Sequence, residues 1–566
     1  MARFKWNVKS TITDDAKKLS SEIKVTPVVA QLFLNRGLNS SEQIKNFLFP
    51  TLSQLPNPFL LSDARKAAER IADAIEKGEM ICVYGDYDID GSTAVAVLAA
   101  FFKEIKIPFS YYQPERFGEG YGMSIEAVKK IIKQGAEIIV SVDCGTSSIE
   151  AATHCKKNNV DLIVTDHHKL GDVLPDTYAF VNPHKPNEPQ EFNMLAGVGV
   201  AYYLALALRA VLKEREYFNS EKQEPNLKNY LDLVAFGTVA DVVPILGVNR
   251  LLVKRGLELI NASPRKGIKA LAEISSLKGV ISSDSISYIL APRLNAAGRM
   301  GSASRSVELL LSTDDTESEK LALELHEENQ KRVSFQNKSW QQVQTIAEAA
   351  SGFDSKYSLT FSSVGWHQGV IGIIASKSVE KWYKPTAVYS ISDHGIAKGS
   401  ARSIKGIDIF AVFSEFREIF EDFGGHDMAA GMSIKTDRIP KFEELFEAGV
   451  SKYIKSEKIH PMIEVDVEVK PSDINLKTIK EIMDMEPFGA NNSSPVFLCR
   501  DVKVTNKMIL KDKHLKLKLD NGIDAIGFNM VDMEKYAEGK IDIVFKPSIN
   551  EWNGSRQVQY VMIDID

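Results

Sequence analysis

Short apolar runs that end in acidic residues alternate with segments of helical periodicity between Met80 and about Val200. The first run, Ile81 to Tyr84, does not alternate apolar with polar positions, as expected for a strand buried on both faces. Similar runs begin near Glu137 and Val160. Strands that alternate with helices in this way predict an α/β fold built on a doubly wound parallel sheet.

Helical patterns flank this region. Residues 1–79 are predicted to be a helical accessory segment, in which an amphipathic helix near Leu61 to Lys77 leads into the first strand. Further helices are predicted over Ala201 to Glu214 and over Tyr230 to Ala240. The stretch 316–350 contains neither proline nor glycine, which predicts one long connecting helix. A helix that joins two lobes often leaves a ligand-binding cleft between them.

The remaining part of the chain shows two different sequence patterns. A second, smaller α/β region follows the connecting helix, and short alternating strands with polar turns follow His460, which predicts a small C-terminal β-barrel. We therefore predict a sheet domain, a connecting helix, a smaller α/β domain and a barrel after the accessory segment. The five predicted segments are 1–79, 80–315, 316–350, 351–457 and 458–566.

Composition narrows the classes of function. The chain of 566 residues has a formal net charge of −6, which excludes a uniformly basic nucleic-acid coat but not local basic patches. Its four cysteines form no CxxC pair, the first residues lack a signal-peptide apolar core, and no run of about 18 apolar residues occurs. These features predict a cytoplasmic protein that does not contact the membrane.

Carboxylates cluster at the predicted strand ends. Asp86, Asp88 and Asp90 follow the first strand, Asp143 follows the second, and His167 and His168 follow the third. Because the carboxyl ends of parallel strands open on one edge of a sheet, these side chains are expected to converge. Like charges this close need a cation, and carboxylates favour Mg²⁺ and Mn²⁺, while an imidazole shifts the preference toward Mn²⁺ or softer ions. The alternative for a single cluster is a solvated acidic turn.

The spacing of these residues suggests separate roles. Asp88 and Asp90 point the same way along an extended segment, so each could serve a different metal, and Asp143 is the candidate bridge. Two divalent cations can activate water and clamp both oxygens of a phosphoryl transfer. His167 is predicted as a ligand, and His168 as a supporting or phosphate-contacting residue.

The smaller α/β region and the barrel contain candidates for binding phosphates. Ser400 and Arg402 lie in a run of small residues that suits a terminal phosphate, and His426 follows two glycines that allow close approach. A glycine turn with a surface arginine is the alternative for the first motif. In the barrel, six lysines between Lys503 and Lys518 could follow a nucleic-acid backbone, or form a solvated face. The candidate stacking residues are Phe497, Phe528, Phe545 and Trp552, and for each of them taken singly a place in the barrel core is the favoured alternative.

Several motifs, in order, resemble the DHH phosphoesterase superfamily, and most closely its bacterial exonucleases specific for single strands. They include Asp86–Gly91, Asp143–Gly145, Asp166–His168, 116–122, 292–299, 366–372, 399–403 and 424–431. The resemblance covers nearly the whole chain. The stretch 487–495 departs from the Gly-x-Gly-Asn-Pro pattern of those relatives, which puts only that loop in doubt.

The resemblance implies a DHH domain, a DHHA1 domain and an oligonucleotide-binding (OB) barrel. It also implies a two-metal site for Mn²⁺ or Mg²⁺, with Asp86 the weaker or supporting ligand. The implied ligands are Asp86, Asp88, Asp90, Asp143, His167 and Asp241. Of these, Asp143 and His167, together with His168, would be catalytic.

Three arginines in motifs of the first lobe are implied to grip the 5′ end or nearby phosphates, namely Arg116, Arg293 and Arg299. An ion pair with the acidic site is the alternative for each of them.

The activity implied is 5′ to 3′ hydrolysis of single-stranded DNA to mononucleotides in repair and recombination. The implied partners are a single-strand binding protein and a RecQ-like repair helicase. Two alternatives stay open, namely a phosphodiesterase for short oligoribonucleotides or cyclic dinucleotides, and a non-catalytic nucleic-acid scaffold.

Overall fold

A computed structural model describes most of the chain as two compact units. One unit is formed mainly by Trp6–His326 with Glu464–Asp566, and the other mainly by Glu327–Ile463. No helix within the described ranges is long and apolar enough to cross a membrane. The described residues, without the side chains of Met300 and Trp552, are 4–115, 122–300, 303–392, 395–454, 460–552 and 554–566.

The order of elements follows the predicted sequence of domains. The strands are β1 (Lys5–Val8), β2 (Ile81–Gly85), β3 (Phe109–Tyr112), β4 (Ile138–Val142), β5 (Asp161–Thr165), β6 (Ala179–Val181), β7 (Leu359–Val364), β8 (Thr386–Ile391), β9 (Ile396–Arg402), β10 (Phe420–His426), β11 (Ala429–Lys435), β12 (Met462–Val465), β13 (Val467–Glu468), β14 (Phe497–Leu510), β15 (His514–Leu519), β16 (Asp524–Gly527), β17 (Lys540–Trp552) and β18 (Ser555–Ile565). The main α-helices are Asp14–Ile23, Pro27–Asn35, Ser41–Leu48, Ala64–Lys77, Ile89–Glu104, Ile125–Lys133, Ile149–Lys157, Gly197–Glu214, Leu231–Ala240, Gly247–Ala262, Lys266–Ile274, Ala291–Met300, Ser304–Leu311, Asp315–Ala349, Gln368–Trp382, Ile409–Ser414, Ile439–Ile454 and Leu476–Asp484.

The predicted parallel sheet is confirmed. Its strands run in the order β3-β2-β4-β5-β6, and each pair is parallel. Alternate residues of β2 pack into two separate hydrophobic clusters on the two faces of the sheet. Ile81 and Val83 belong to one cluster, and Cys82 and Tyr84 belong to the other. Both faces are therefore covered, which is why β2 is apolar throughout.

Two helices begin three or four residues away from their predicted first residues. The helix expected near Leu61 begins at Ala64, because Asp63 before it takes a left-handed conformation with φ 63°. The helix expected from Ala201 begins at Gly197. The connecting helix spans Asp315–Ala349, within one residue of the prediction at each end.

The second unit is built on a five-stranded sheet ordered β10-β11-β9-β8-β7. Only β7 and β8 are parallel to each other. Val388 packs with Ile371 and Val343 on one face, and its neighbour Tyr389 packs with Phe413 on the other. This smaller α/β domain also matches the expected fold class.

The C-terminal strands form the predicted barrel. The sheet closes because β14 pairs with both β15 and β17, while β16 pairs with β18 and β18 with β17. The three N-terminal helices share the core of this barrel, with Phe33 and Phe47 in one cluster with Phe497 and Phe545. The accessory segment is thus largely a covering layer of the barrel, which the sequence pattern did not indicate.

Candidate metal centre

Three strand ends bring the predicted acidic motifs to one edge of the parallel sheet. Gly85 of β2 is aligned with Val142 of β4, and Val142 is aligned with Thr165 of β5. The residue that follows each of these positions is an aspartate, so Asp86, Asp143 and Asp166 leave the sheet side by side, as expected for this topology.

Asp88 and Asp90 do not lie on an extended segment, so that part of the prediction is wrong. Asp88 is the N-cap of helix Ile89–Glu104 and accepts a hydrogen bond from the Gly91 N–H at 3.1 Å. Asp90 lies in the first helical turn and is buried. A helix begins almost directly after the strand, so Asp88 caps this helix and Asp90 falls in its first turn.

The carboxylate of Asp90 is held by the start of a second helix. Its two oxygens accept hydrogen bonds from the N–H groups of Gly197 (2.6 Å) and Val198 (2.9 Å). A Cβ added at Gly197 would lie 2.4 Å from Oδ1 of Asp143, so glycine is required for this close approach. These two residues were missed by the sequence analysis, and the small-residue run before Ala201 was the available signal.

Two groups of side chains could each hold a cation. Within each group, one ligand atom per residue lies within 4.8 Å of the others, and Asp86, Asp88 and Asp143 form the first. The second group contains Asp90, His167 and Asp241. A third combination joins Asp143 to His167 and His168, so Asp143 lies where the groups meet. All six predicted ligands are thus brought together, with Asp86 and Asp88 in the same group.

His167 links the groups through one ring nitrogen. Its Nε2 lies 3.2 Å from Oδ1 of Asp143 and 3.7 Å from an oxygen of both Asp90 and Asp241. Burial, with the charge of His168, lowers the pKa of His167 to about 4. The imidazole is therefore neutral at physiological pH, which is the form that can coordinate a metal.

Burial and mutual repulsion disfavour the charged form of several carboxylates in this cluster. Burial, reinforced by the neighbouring carboxylates, raises the pKa of Asp90 to about 7, that of Asp241 to about 9, and that of Asp143 well above its usual value. No hydrogen bond within the described part of the chain reaches the buried Oδ1 of Asp143 or Oδ2 of Asp241. Divalent cations with oxygen and imidazole ligands fit this donor set.

Asp166 supports the histidines rather than joining the carboxylate cluster. It accepts hydrogen bonds from the Thr146 N–H (2.9 Å) and the His167 N–H (2.7 Å), and its Oδ1 lies 2.7 Å from Nδ1 of His168. Burial alone would raise the pKa of Asp166. The hydrogen bond and charge of His168, together with the hydrogen bonds of Thr146, outweigh burial and lower this pKa. The same contact raises the pKa of His168 against the opposing effect of burial.

Asn182 holds the other side of this motif. Its side-chain amide donates to the His168 carbonyl and to the Thr146 hydroxyl, both at 3.0 Å. Asp166 belongs to one of the resemblance motifs but has no predicted role, and Asn182 is not among the predicted site residues. The position of Asn182 directly after the apolar β6 was the available signal.

The arginines predicted to grip phosphates have mixed outcomes. Arg116 lies outside the described residues. Arg293 donates to Nδ1 of His326 at 3.1 Å and to the Ile289 carbonyl, so its described contacts are not ion pairs with the acidic site. Arg299 lies in the last turn of the same helix, Ala291–Met300.

The second unit brings its three predicted phosphate contacts to one face of its sheet. Arg402 of β9 is aligned with Ala429 of β11, and Ala429 with His426 of β10. Ser400 is two residues before Arg402 on the same face, and its hydroxyl lies 3.0 Å from the Arg402 guanidinium.

Glycines leave the centre of this face open. Gly431 and Gly424 are aligned with Ser400 across the two neighbouring strands. A Cβ added at either of these glycines would meet nothing within 4 Å. The result is a smooth strip of backbone between the Ser400 and Arg402 side chains and His426.

The barrel corrects part of the predicted stacking set. Phe497 and Phe545 are fully buried core residues, because alternate positions of β14 and β17 point into the barrel. Phe528 is 55% exposed, and the side chain of Trp552 lies outside the described residues. Among the predicted lysines, Lys507 pairs with Glu538, while Lys516 and Lys518 pair with Asp524.

This fold and this carboxylate-histidine edge define a protein of the DHH superfamily. The model of the DHH family, N-terminal domain, matches residues 80–238, the DHHA1 domain model matches 356–452, and the RecJ OB domain model matches 465–564.

Curated relatives that match over nearly the whole of this chain identify the family within the DHH superfamily. The single-stranded-DNA-specific exonuclease RecJ of Bacillus subtilis is 35% identical, over all of this chain and 71% of the relative. RecJ of Haemophilus influenzae is 33% identical over 96% of this chain and 97% of its own length. The crystal structure of Thermus thermophilus RecJ with Mn²⁺ has a TM-score of 0.85 at 27% identity, covering all of this chain and 80% of that one. The chain belongs to the RecJ family.

Proposed function

We propose that this protein is a metal-dependent exonuclease that hydrolyses single-stranded DNA from the 5′ end and releases 5′-mononucleotides. Its family membership supports the substrate and the reaction, since the related proteins carry the name single-stranded-DNA-specific exonuclease. The polarity and the product are inferred from the DHH resemblance. Repair and recombination of DNA are the processes in which such an activity would serve.

One observation carries the proposal, namely that two potential cation sites meet at Asp143. Asp143 shares one potential ligand group with Asp86 and Asp88. It shares another with His167, which also belongs to the group of Asp90 and Asp241. The RecJ structure from Thermus thermophilus is described in complexes with Mn²⁺ and with Mg²⁺. We propose that this chain binds the same two kinds of ion, with Asp143 as the shared ligand.

Each residue of the centre has a distinct task in this scheme. When bound, divalent cations polarise the phosphodiester and promote deprotonation of water. Asp143 and His167 would hold the cations, because they belong to the adjoining ligand groups. Asp166 fixes Nδ1 of His168 and raises the pKa of this ring, which favours the protonated form that can donate from Nε2 to a phosphate oxygen.

The second unit contributes a phosphate-binding face. Arg402 and Ser400 form a hydrogen-bonding pair beside the open strip over Gly424 and Gly431, and His426 lies across that strip. We propose that a DNA backbone lies on this face. The roles predicted for Arg116, Arg293 and Arg299 at the 5′ end remain part of the proposal.

Partners are proposed on family membership alone. A single-strand binding protein would deliver the coated substrate, and a RecQ-like helicase would supply single strands from duplex. Both fit a cytoplasmic enzyme. Immobilised full-length protein should retain each candidate partner in a pull-down, and loss of retention after mixing with excess free partner would support specificity.

A direct test uses one single strand labelled at either end. With Mn²⁺ or Mg²⁺, the 5′-labelled strand should release its label as a mononucleotide at the earliest time points, and the 3′-labelled strand should shorten progressively. Chelator should stop both reactions. Early release of the 3′ label would reverse the proposed polarity, and much faster cleavage of a dinucleotide than of the long strand would favour the small-substrate phosphodiesterase.

Asp143→Asn is the matched variant for this assay. It keeps the size of the side chain but removes the shared charge, so the cleavage rate should fall by at least about 100-fold. Asp176→Asn is the control, because Asp176 is exposed, pairs with Lys156 and comes just before the start of β6, whereas the centre lies at the carboxyl ends of the strands. Full activity of Asp143→Asn would overturn the proposed mechanism.

A further inference from the structure

Phe335 is an exposed aromatic residue in a polar stretch of the connecting helix. Its neighbours from Lys331 to Lys338 are mostly charged or polar, and 41% of the Phe335 surface is exposed to solvent. Leaving a phenyl ring in this position forgoes the free energy that its burial would give. An exposed ring in a polar setting is a typical element of sites that stack nucleobases.

The ring of Phe335 is stacked on the imidazole of His367. The two centroids are 5.4 Å apart and the planes differ by 23°. His367 is itself held in place, because it is the N-cap of helix Gln368–Trp382 and its Nδ1 accepts a hydrogen bond from the Gly369 N–H at 3.0 Å. The Phe335 ring therefore rests on an imidazole whose orientation is fixed by the start of a helix.

This pair lies near the phosphate-binding face proposed above. A Cβ added at Gly372, in the same helix, would lie 3.1 Å from Oγ of Ser400 and 3.2 Å from a guanidinium nitrogen of Arg402. Five residues separate His367 from Gly372, a rise of about 7.5 Å along a helix. That distance corresponds to about two nucleotides at the 3.4 Å spacing of stacked bases.

We propose that Phe335 and His367 form a stacking platform for a nucleobase of the strand whose phosphate is held by Ser400 and Arg402. The arginine would fix the charged backbone, and the ring would bind the neighbouring base without regard to its identity, because every base has a π-face. This inference rests on the proposed function and adds a base-binding position to it.

The charge of the pair suits this use. Burial lowers the pKa of His367, so the imidazole stays neutral at physiological pH and serves as the backing of the phenyl ring. In this arrangement one face of the Phe335 ring is covered by His367, and the exposed part of the ring is available to a base. A purely structural contact would not need this exposure.

The test measures binding of 5′-phosphorylated single strands to the full chain in chelator, by fluorescence anisotropy. Phe335→Ala should weaken binding by about 5- to 150-fold, the range for loss of one stacked base. Phe335→Tyr should bind like the wild type. Phe335→Leu keeps an apolar side chain for packing but lacks a π-face, so it should bind like Phe335→Ala.

Ile346→Ala is the matched control, since Ile346 is 42% exposed on the same helix. It should leave binding unchanged. The stacked base is located by placing an abasic site at successive positions from the 5′ end. At one position, the abasic strand should weaken wild-type binding as Phe335→Ala does, and the two changes together should weaken it no further.

Two results would overturn the platform. Either Phe335→Leu binds as tightly as the wild type, or the effects of Phe335→Ala and of the abasic site add at every position. Both are distinct from failure of the proposed function, in which the wild-type protein itself neither binds nor degrades single strands.

Discussion

Oδ1 of Asn295 accepts a hydrogen bond from the Ile89 N–H at 3.2 Å. Ile89 is the residue between Asp88 and Asp90, so this bond fixes the backbone that carries two candidate metal ligands. Three residues later in the same helix, a Cβ added at Gly298 would lie 2.6 Å from the Tyr87 carbonyl oxygen. Helix Ala291–Met300 therefore packs directly on the acidic loop.

This contact predicts that Asn295→Ala weakens metal binding although Asn295 is not a ligand. Residues that orient ligands typically contribute 10- to 100-fold to metal affinity, and we expect a loss in that range. Calorimetric titration of the metal-free protein with Mn²⁺ gives the affinity. Asn158→Ala is the control, because Asn158 is an exposed residue at the end of helix Ile149–Lys157. Unchanged Mn²⁺ affinity in Asn295→Ala would remove Asn295 from this role.

The raised pKa values of the centre predict how stability depends on pH. A carboxyl group whose pKa is raised by folding binds more protons in the folded state, so stability falls as pH rises toward the folded pKa. The values of about 7 for Asp90 and about 9 for Asp241 place part of this loss between pH 6.5 and 8.5. In chelator, the melting temperature should fall by at least about 2 °C across this interval.

The same measurement contains its own controls. Mn²⁺ should raise the melting temperature more at pH 8.5 than at pH 6.5, since it neutralises carboxylates that are charged there. Asp241→Asn should show a shallower decline in chelator, because a group that titrates in and above this interval has been replaced. A metal-free protein that becomes more stable from pH 6.5 to 8.5 would contradict the charge balance described for this edge.

The sequence predicted the sheet, its edge chemistry and the candidate ligands because these depend on local pattern. An apolar run followed by Asp86 defines a buried strand and its end, and parallel topology then brings Asp143 and His167 to the same edge. The roles of Gly197 and Asn295 depend on contacts between residues more than 100 positions apart along the chain. A single sequence carries no direct signal for such pairs.

The barrel shows a second limit. Alternation in β14 indicates which residues share a face, but not which face is inside, so Phe497 and Phe545 could be assigned to the core only from the closed sheet. The covering of the barrel by the N-terminal helices has the same cause. Their apolar faces were visible in the sequence, and their partner was not.

The barrel lysines predict a graded salt dependence of DNA binding. Ion pairs within the described residues already occupy Lys507, Lys516 and Lys518, whereas none is found there for Lys511 or Lys513. Each phosphate contact removed from single-strand binding lowers the slope of log affinity against log salt by about 0.7. Lys511→Ala and Lys513→Ala should each approach this change, and Lys516→Ala should not. Equal slopes in all three variants would indicate a solvated face.

Arg250 predicts how the N-terminal and C-terminal parts of the chain are held on the sheet domain. It is buried in helix Gly247–Ala262 and donates to the carbonyl oxygens of Phe47 (2.8 Å) and Met485 (2.9 Å), with further bonds to Glu486 and Pro487. Its guanidinium also lies 3.6 Å from the centre of the Phe47 ring. One side chain thus joins the accessory helices and the segment before the barrel to the sheet domain.

Arg250→Ala would remove the main donor of the Phe47, Met485 and Glu486 carbonyl groups, whereas the Pro487 carbonyl also accepts from Asn492 at 2.9 Å. Each unsatisfied buried acceptor costs about 1–3 kcal/mol, so we expect the first unfolding step to lose at least about 3 kcal/mol. Urea unfolding followed by tryptophan fluorescence measures this, since Trp6 bonds to Asp564 at the junction of the N-terminal strand and the barrel. Lys269→Ala, which removes an exposed helix pair with Glu273, should stay within about 0.5 kcal/mol. Equal urea midpoints for the two variants would mean that other contacts hold the barrel in place.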